Sequence, residues 1–291
     1  MTPGKVPNFA IWLDRARSRS VNDSLRRVVT ALLAAPVVLY LAYLGGWPFA
    51  ALVAGIGILG QREFYHMARR VGAHPHQAGG LLLGGLVIAA ILRPLLWPVA
   101  AAALLGFVVA APILLPIEDF LLSFTVTIAG AVYPTGLLGS LVWLRKGSPA
   151  ITDHEAFRLV LLVLLVVWAT DTAAYYVGRE LGTRPLAPTI SPNKSWEGTL
   201  GGIGAALLVG GGLKATLLSG LAWAHVAALV GIGGGIGQLG DLLESQLKRS
   251  TDMDDSSRIL PGHGGMLDRF DAMAVAAPLM GLYLNYVAGV L

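Results

Sequence analysis

Cysteine is absent from the 291 residues. That removes disulfides, thiol nucleophiles and cysteine-based zinc sites together, and it leaves the compartment open, because helices packed in lipid need no covalent staples. Charge is scarce too. Asp, Glu, Lys and Arg make up 13% of the chain, against roughly 25% in globular proteins, too little to clothe a water-facing domain of this length. There is no internal repeat and no low-complexity tract. No small-residue cleavage site follows the first apolar run, so a removable signal peptide is not expected. The formal net charge of +4 does not indicate nucleic-acid binding. The basic residues sit in short loops beside apolar runs, where they set topology and meet anionic head groups or phosphates.

What the chain has in quantity is apolar sequence: 55% hydrophobic residues and a mean hydropathy of +0.68. Its 37 glycines fall largely within the apolar runs, as suits helices that approach closely in lipid. Runs at 28–44, 47–60, 78–92, 95–116, 120–144, 159–177, 199–218, 222–240 and 272–291 predict an all-α, polytopic membrane protein with about nine transmembrane helices. The first pair is separated by Gly45-Gly46-Trp47-Pro48, a turn bearing an interfacial aromatic. With the N-terminus in the cytoplasm, the basic arm 1–27 and the inside segments 61–77, 117–119, 178–198 and 241–271 hold 16 of the 21 Lys and Arg residues. That asymmetry supports nine crossings and a cytoplasmic, inner-membrane setting for both long polar loops. The expected organisation is the arm 1–27, a set of N-terminal membrane helices over 28–150, and a catalytic membrane region over 151–291.

Three segments interrupt the apolar pattern, all in the second half. In Trp168-Ala-Thr-Asp171-Thr-Ala-Ala-Tyr175-Tyr176, Asp171 is expected about 9 Å inside a span. A carboxylate there costs about 2.5–3.5 kcal/mol, so it should face a polar cavity, a cation or a base, or else bond a neighbouring helix as a structural Asp. In Ser191-Pro-Asn-Lys194-Ser195-Trp-Glu-Gly198, an ammonium and two hydroxyls precede a helix start. That suits a phosphate, and it equally suits a simple N-cap with an interfacial lysine.

The third segment, Gly237 to Arg249, puts Asp241, Glu244, Ser245 and Lys248 on one helical face at i, i+3, i+4 and i+7. Leu260-Pro-Gly262-His263-Gly264-Gly265 follows, and then Asp268-Arg269-Phe-Asp271 opens the last span. The glycines let backbone N–H groups turn toward an anion. Carboxylates from separate helices suit Mg²⁺, which takes hard oxygen ligands and substrate phosphates. Lys194, Lys248, Arg249, His263 and Arg269 can neutralise phosphate charge. Together these residue types point to metal-assisted phosphoryl or nucleotidyl transfer at one membrane face.

The stretch Ser245-Gln-Leu-Lys248-Arg249, Asp254-Asp255, Pro261-Gly-His263-Gly-Gly-Met-Leu-Asp268-Arg269-Phe-Asp271 closely resembles the signature of the phosphatidate cytidylyltransferases, or CDP-diacylglycerol synthases. The two upstream polar segments resemble that family's other motifs, in order. One position departs: Asp254 stands where the family pattern has Lys, with Arg258 as the expected substitute. The resemblance implies a homodimeric membrane enzyme that joins CTP to phosphatidic acid and releases pyrophosphate. It implies paired metal ions, Mg²⁺ alone or with a second ion, on Asp241 and Asp268, supported by Asp171 and Glu244. It also implies Lys248 as a catalytic cation, with Ser191, Lys194, Ser195, Arg249, His263, Gly264, Gly265 and Arg269 contacting substrate. Competing expectations are a relative acting on a polyprenol-type lipid and, from another class, an ion-coupled transporter using Asp171 and Asp241.

Overall fold

The computed structural model describes residues 21–257, 259 and 264–290, with the backbone alone over 21–31. Among these residues each expected apolar run becomes one helical stretch, in order. They are α1 Val21–Leu44, α2 Gly46–Arg69, α3 Gln77–Leu92, α4 Pro94–Leu114, α5 Phe120–Lys146, α6 Asp153–Leu181, α7 Trp196–Thr216, α8 Trp223–Ser250 and α9 Leu267–Tyr286. Five of them, α4 to α8, are long and apolar enough to cross a membrane by length and composition. α3 is apolar but shorter, and in α2 and α9 charged residues occupy the polar ends.

The architecture is nearly all-α. The departure is an antiparallel hairpin of β1 Pro185–Ala187 and β2 Ser191–Ser195. Pro185, Pro188 and Pro192 exclude helix from this loop. α6 also runs longer than its apolar core, because Thr152 and Glu155 form a reciprocal capping box at its start. At its other end it continues to Leu181, so Asp171 lies ten residues, roughly 15 Å, from the helix end rather than 9 Å.

α6 is the central post. Leu162, Val163, Val166 and Val167 are buried against Ala276, Ala277 and Met280 of α9 and Leu229 and Val230 of α8. Its most extensive neighbour is α7. A Cβ on Gly198 would lie 2.7 Å from the Ala174 carbonyl, and one on Gly202 would lie 2.9 Å from that of Thr170. The two backbones therefore touch, as small residues permit in membrane helices.

The outside is apolar: Val109, Ile113, Leu121 and Leu208 are among the most exposed side chains. The interior carries the polar links. Thr135 Oγ1 donates to Gln61 Oε1 at 2.8 Å, Gln61 Nε2 donates to the Tyr65 hydroxyl at 2.8 Å, and Tyr65 donates to the Thr127 carbonyl at 2.6 Å. This chain fixes α2 to α5. Arg145, expected as a loop charge, is 3% exposed. It donates to the Ala42 and Tyr43 carbonyls at 2.6 and 2.8 Å and makes a two-pronged pair with Asp153, which staples α1 and α5 to α6.

α5 and α8 each contain one π-helical turn, over Ala131–Gly136 and Gly231–Ile236. The i→i+5 bonds Leu137 N to Val132 O and Gly237 N to Ile232 O, both 2.8 Å, mark them. Such widened turns are common at functional sites.

A Gly202→Val substitution should force α7 away from α6. We expect it to cost about 1–3 kcal/mol, read as a lowered melting temperature in detergent, whereas Gly204→Ala, with open space around it, should melt like the parent.

Candidate active site

The polar ends of α2, α6, α8 and α9 and strand β2 meet at one end of the bundle. On α8 the i, i+4 pair closes as the spacing requires: Lys248 Nζ lies 2.8 Å from Glu244 Oε2. The same ammonium is 2.7 Å from Asp268 Oδ1 on α9, so it bridges two helices. About two turns before Lys248 on α8, Asp241 Oδ2 takes a 2.7 Å bond from Lys194 Nζ on β2. Asp241 and Asp268 thus each hold an ammonium group, and Lys194 and Lys248 are both brought into the cluster.

Asp171 reaches the same place from α6, within electrostatic range of Asp241, Lys194 and Arg269. Asp271, one turn into α9 and 7% exposed, lies in the field of Asp241, Glu244 and Asp171. Carboxylates gathered this closely repel unless cations sit among them. Glu244 is 2% exposed, and its Oε1 has no hydrogen-bond partner. The hydroxyl of Tyr133, in the π turn of α5, is the other such buried side-chain atom among the described residues, and it lies in the field of Glu244, Asp241 and Asp271.

In the described part of the Gly-rich turn the Gly265 N–H points at an anion, but at one supplied by the protein. Gly264 has φ +78°, the left-handed region. Gly265 N donates to Asp268 Oδ2 at 2.7 Å, and that oxygen also accepts from the Ser256 amide at 3.1 Å and hydroxyl at 2.9 Å. A Cβ on Gly265 would collide with Ser256 Oγ and Glu63.

Glu63 is the residue that sequence reasoning missed. It stands on α2, 3% exposed, about two hundred positions before the segment it holds. It accepts from the Met266 amide at 2.9 Å, the Leu267 amide at 2.7 Å, the Ser256 hydroxyl at 3.0 Å and the Ser257 hydroxyl at 2.5 Å. A carboxylate thus caps the open N–H groups at the start of α9. Gln61 and Tyr65, on either side of it, are the α2 members of the buried network to α5. Its only signal in the sequence was a lone acid at a helix end.

The remaining candidates divide. Ser195 Oγ accepts from Gly198 N at 3.1 Å as the N-cap of α7, while Glu197 holds Thr183 and Arg184. Ser191 opens β2, half-buried. Arg269 is exposed on the first turn of α9. Arg249 faces Asp254 at 3.6 Å, so the departing charge at 254 has a partner on its own side of the loop. The expectations for His263, Gly262, Arg258 and the basic arm over 1–20 fall outside the described residues.

The donor set fits a divalent cation of the Mg²⁺ kind. The oxygens are hard and one, Glu244 Oε1, is buried without a partner. Among the described residues no three acids or histidines form a closed cage. That is the condition Mg²⁺ tolerates when substrate phosphates complete its shell. Asp241, with Asp171 and Glu244, is the more open position. Both Asp268 oxygens are already engaged by Lys248, Ser256 and Gly265.

Fold and site together define a helical membrane protein with an acid–base cluster suited to phosphate chemistry at the helix ends. The chain belongs to the cytidylyltransferase family, whose profile matches residues 25–287. It is 36% identical over 259 residues to a phosphatidate cytidylyltransferase of Brucella suis biovar 1, covering 88% of this chain and 92% of the relative. It is 33% identical over 289 residues to one of Synechocystis sp., covering 91% and 98%. To one of Bacillus subtilis it is 31% identical over 266 residues, covering 89% and 96%.

Replacing Glu63 by Gln keeps the shape but turns an amide N–H₂ toward groups that are themselves donors. An unsatisfied buried donor costs about 1–3 kcal/mol. We expect Glu63→Gln to lower turnover at least about tenfold and to reduce thermal stability, both measured on purified protein in detergent. Unchanged turnover would show that the cap does not bear on the site.

Proposed function

We propose that the chain transfers the cytidylyl group of CTP to phosphatidic acid, giving CDP-diacylglycerol and pyrophosphate for phospholipid synthesis. Near-full-length similarity to three phosphatidate cytidylyltransferases carries this conclusion, and the bridging of Glu244 and Asp268 by Lys248 agrees with it. A lipid phosphate oxygen attacks the α-phosphorus of CTP, and the bond from that phosphorus to the bridging oxygen of the β-phosphate breaks. The nucleophile is already an anion and needs little help from a base. The barrier lies in bringing two anions into line, which positioned cations reduce.

Lys194 and Lys248 lie within the carboxylate cluster, each 2.7 Å from one of its acids. With Arg249 and Arg269 they would receive phosphate oxygens, and Ser191 and Gly264 would add donors at the rim, the Gly265 N–H being held by Asp268. Asp241 would hold Mg²⁺, with Asp171 and Glu244 beside it. Asp268 would join a second ion once Lys248 moves to substrate. Bound there, the metal would neutralise phosphate oxygens and the leaving pyrophosphate. The nine helical stretches would be nine crossings with the site at the cytoplasmic face of the inner membrane, as loop charge supports. The homodimer rests on the family resemblance.

Purified protein given CTP, Mg²⁺ and phosphatidic acid should form CDP-diacylglycerol. Activity should vanish with chelator and return with Mg²⁺. Asp241→Asn and Asp268→Asn should each cut turnover by orders of magnitude in folded, membrane-inserted protein, and Glu244→Gln by less. Near-normal turnover of Asp268→Asn at saturating Mg²⁺ would remove it from the metal assignment.

Single cysteines introduced into this cysteine-free chain test the topology. Labelled from outside intact cells, positions 147–156 should react, whereas 185–190 and 250–258 should stay protected. The reverse pattern would overturn nine crossings.

A further inference from the structure

The carboxylates at the helix ends outnumber the cations among them. Asp171, Asp241, Glu244, Asp268 and Asp271 stand against Lys194, Lys248 and Arg269, and both lysines are already paired. A polyphosphate, or a phosphate monoester held beside one, needs more positive charge than this cluster offers. Next to it lies a cavity of about 790 Å³, within the usual range for small-molecule sites. The last turns of α2 form one wall, with Arg62, His66 and Arg69 at i, i+4 and i+7 and Arg70 beside them. Residues 252–257 form the other.

All four α2 side chains are exposed. Among the described residues none of them pairs with a carboxylate within 4.0 Å. Asp252, Asp254 and Asp255 face them across the gap, and Asp254 turns to Arg249 instead. With Glu63 turned to the α9 amides and Asp254 to Arg249, the three guanidinium groups of α2 leave positive charge on this side of the cavity, which suits a ligand that brings its own anions. Guanidinium forks match phosphate oxygens in shape as well as charge.

The cavity is also wired to the reaction cluster. Glu63, adjacent to Arg62, shares its wall, and Ser256, on the facing wall, bonds both Glu63 and Asp268. Resting on the function proposed above, we infer that the Arg62–Arg70 face of α2 is a phosphate-binding site that holds an anionic substrate against the signature loop. The ligand class is a phosphate group, borne either by the nucleotide's polyphosphate tail or by the lipid head group.

Binding is measured directly on purified protein in detergent, with inorganic pyrophosphate in one arm and short-chain phosphatidic acid in the other. The double variant Arg62→Ala/Arg69→Ala should weaken one of them at least about tenfold, and the arm that weakens names the source. In turnover assays the KM for the matching substrate should rise while kcat changes less than about threefold. Asp254→Lys, which adds a cation to the facing wall, should tighten the same ligand. Binding of both probes within about twofold of the parent in the double variant, with its melting temperature intact, would overturn the inference. Should the double variant not fold, unchanged binding in Asp254→Lys would do so. If the parent makes no CDP-diacylglycerol yet loses pyrophosphate binding on substitution, the phosphate site stands and the assigned reaction falls.

Discussion

A buried carboxylate on α2 organises the reactive end of the molecule. Glu63 meets two amides at the start of α9 and two hydroxyls of the preceding loop, and a buried charge is tolerable only when its lone pairs are filled in this way. Because α9 begins where Glu63 caps it, Asp268 and Asp271 receive their heights along the helix from a residue in the first quarter of the chain. The buried Thr135–Gln61–Tyr65–Thr127 chain then fixes α2 itself. The chain over 151–291 is therefore not self-sufficient: α2 supplies part of its frame.

That frame holds an electrostatic imbalance. Lys248 lies between Glu244 and Asp268, and Lys194 lies on Asp241, so the site quenches much of its negative charge internally. Long, flexible ammonium side chains suit this role, because they can leave a carboxylate for a phosphate with little backbone change. The planar forks sit elsewhere, on α2 and at Arg249 and Arg269.

Much of this was legible in the sequence. Every apolar run became a helical stretch, since hydropathy reports burial in lipid or protein regardless of tertiary detail. The helical face of Asp241, Glu244 and Lys248 followed from spacing alone. What could not be read was partnership across distance. Nothing near Glu63, Tyr133 or Arg145 in the chain marks their roles, because the groups that satisfy or surround them lie far away in it. Ser195 resolved into a helix cap, a possibility its Ser-Trp-Glu-Gly context had already raised. The β1–β2 hairpin was invisible to hydropathy because it is short, polar and held by prolines.

The two π turns explain how helices that are otherwise regular deliver polar groups to this end. A regular helix commits every carbonyl to the fourth amide ahead, and Pro134 has no amide to offer. Widening the turn over Ala131–Gly136 absorbs that loss and leaves Tyr133 facing the carboxylates, while Thr135 faces Gln61. In α8 the turn over Gly231–Ile236 lies directly before Gln238 and Asp241. Adding a residue to one turn rotates everything beyond it by roughly 100° relative to an uninterrupted α-helix. The apolar face that packs Leu229 and Val230 into the core can thereby hand over to a polar face bearing Asp241, Glu244 and Lys248. In α8 the irregular turn marks the boundary between a part built for lipid and core and a part built for charge, whereas in α5 the polar groups sit in the turn itself and Leu138, Leu141, Val142 and Leu144 beyond it return to the core.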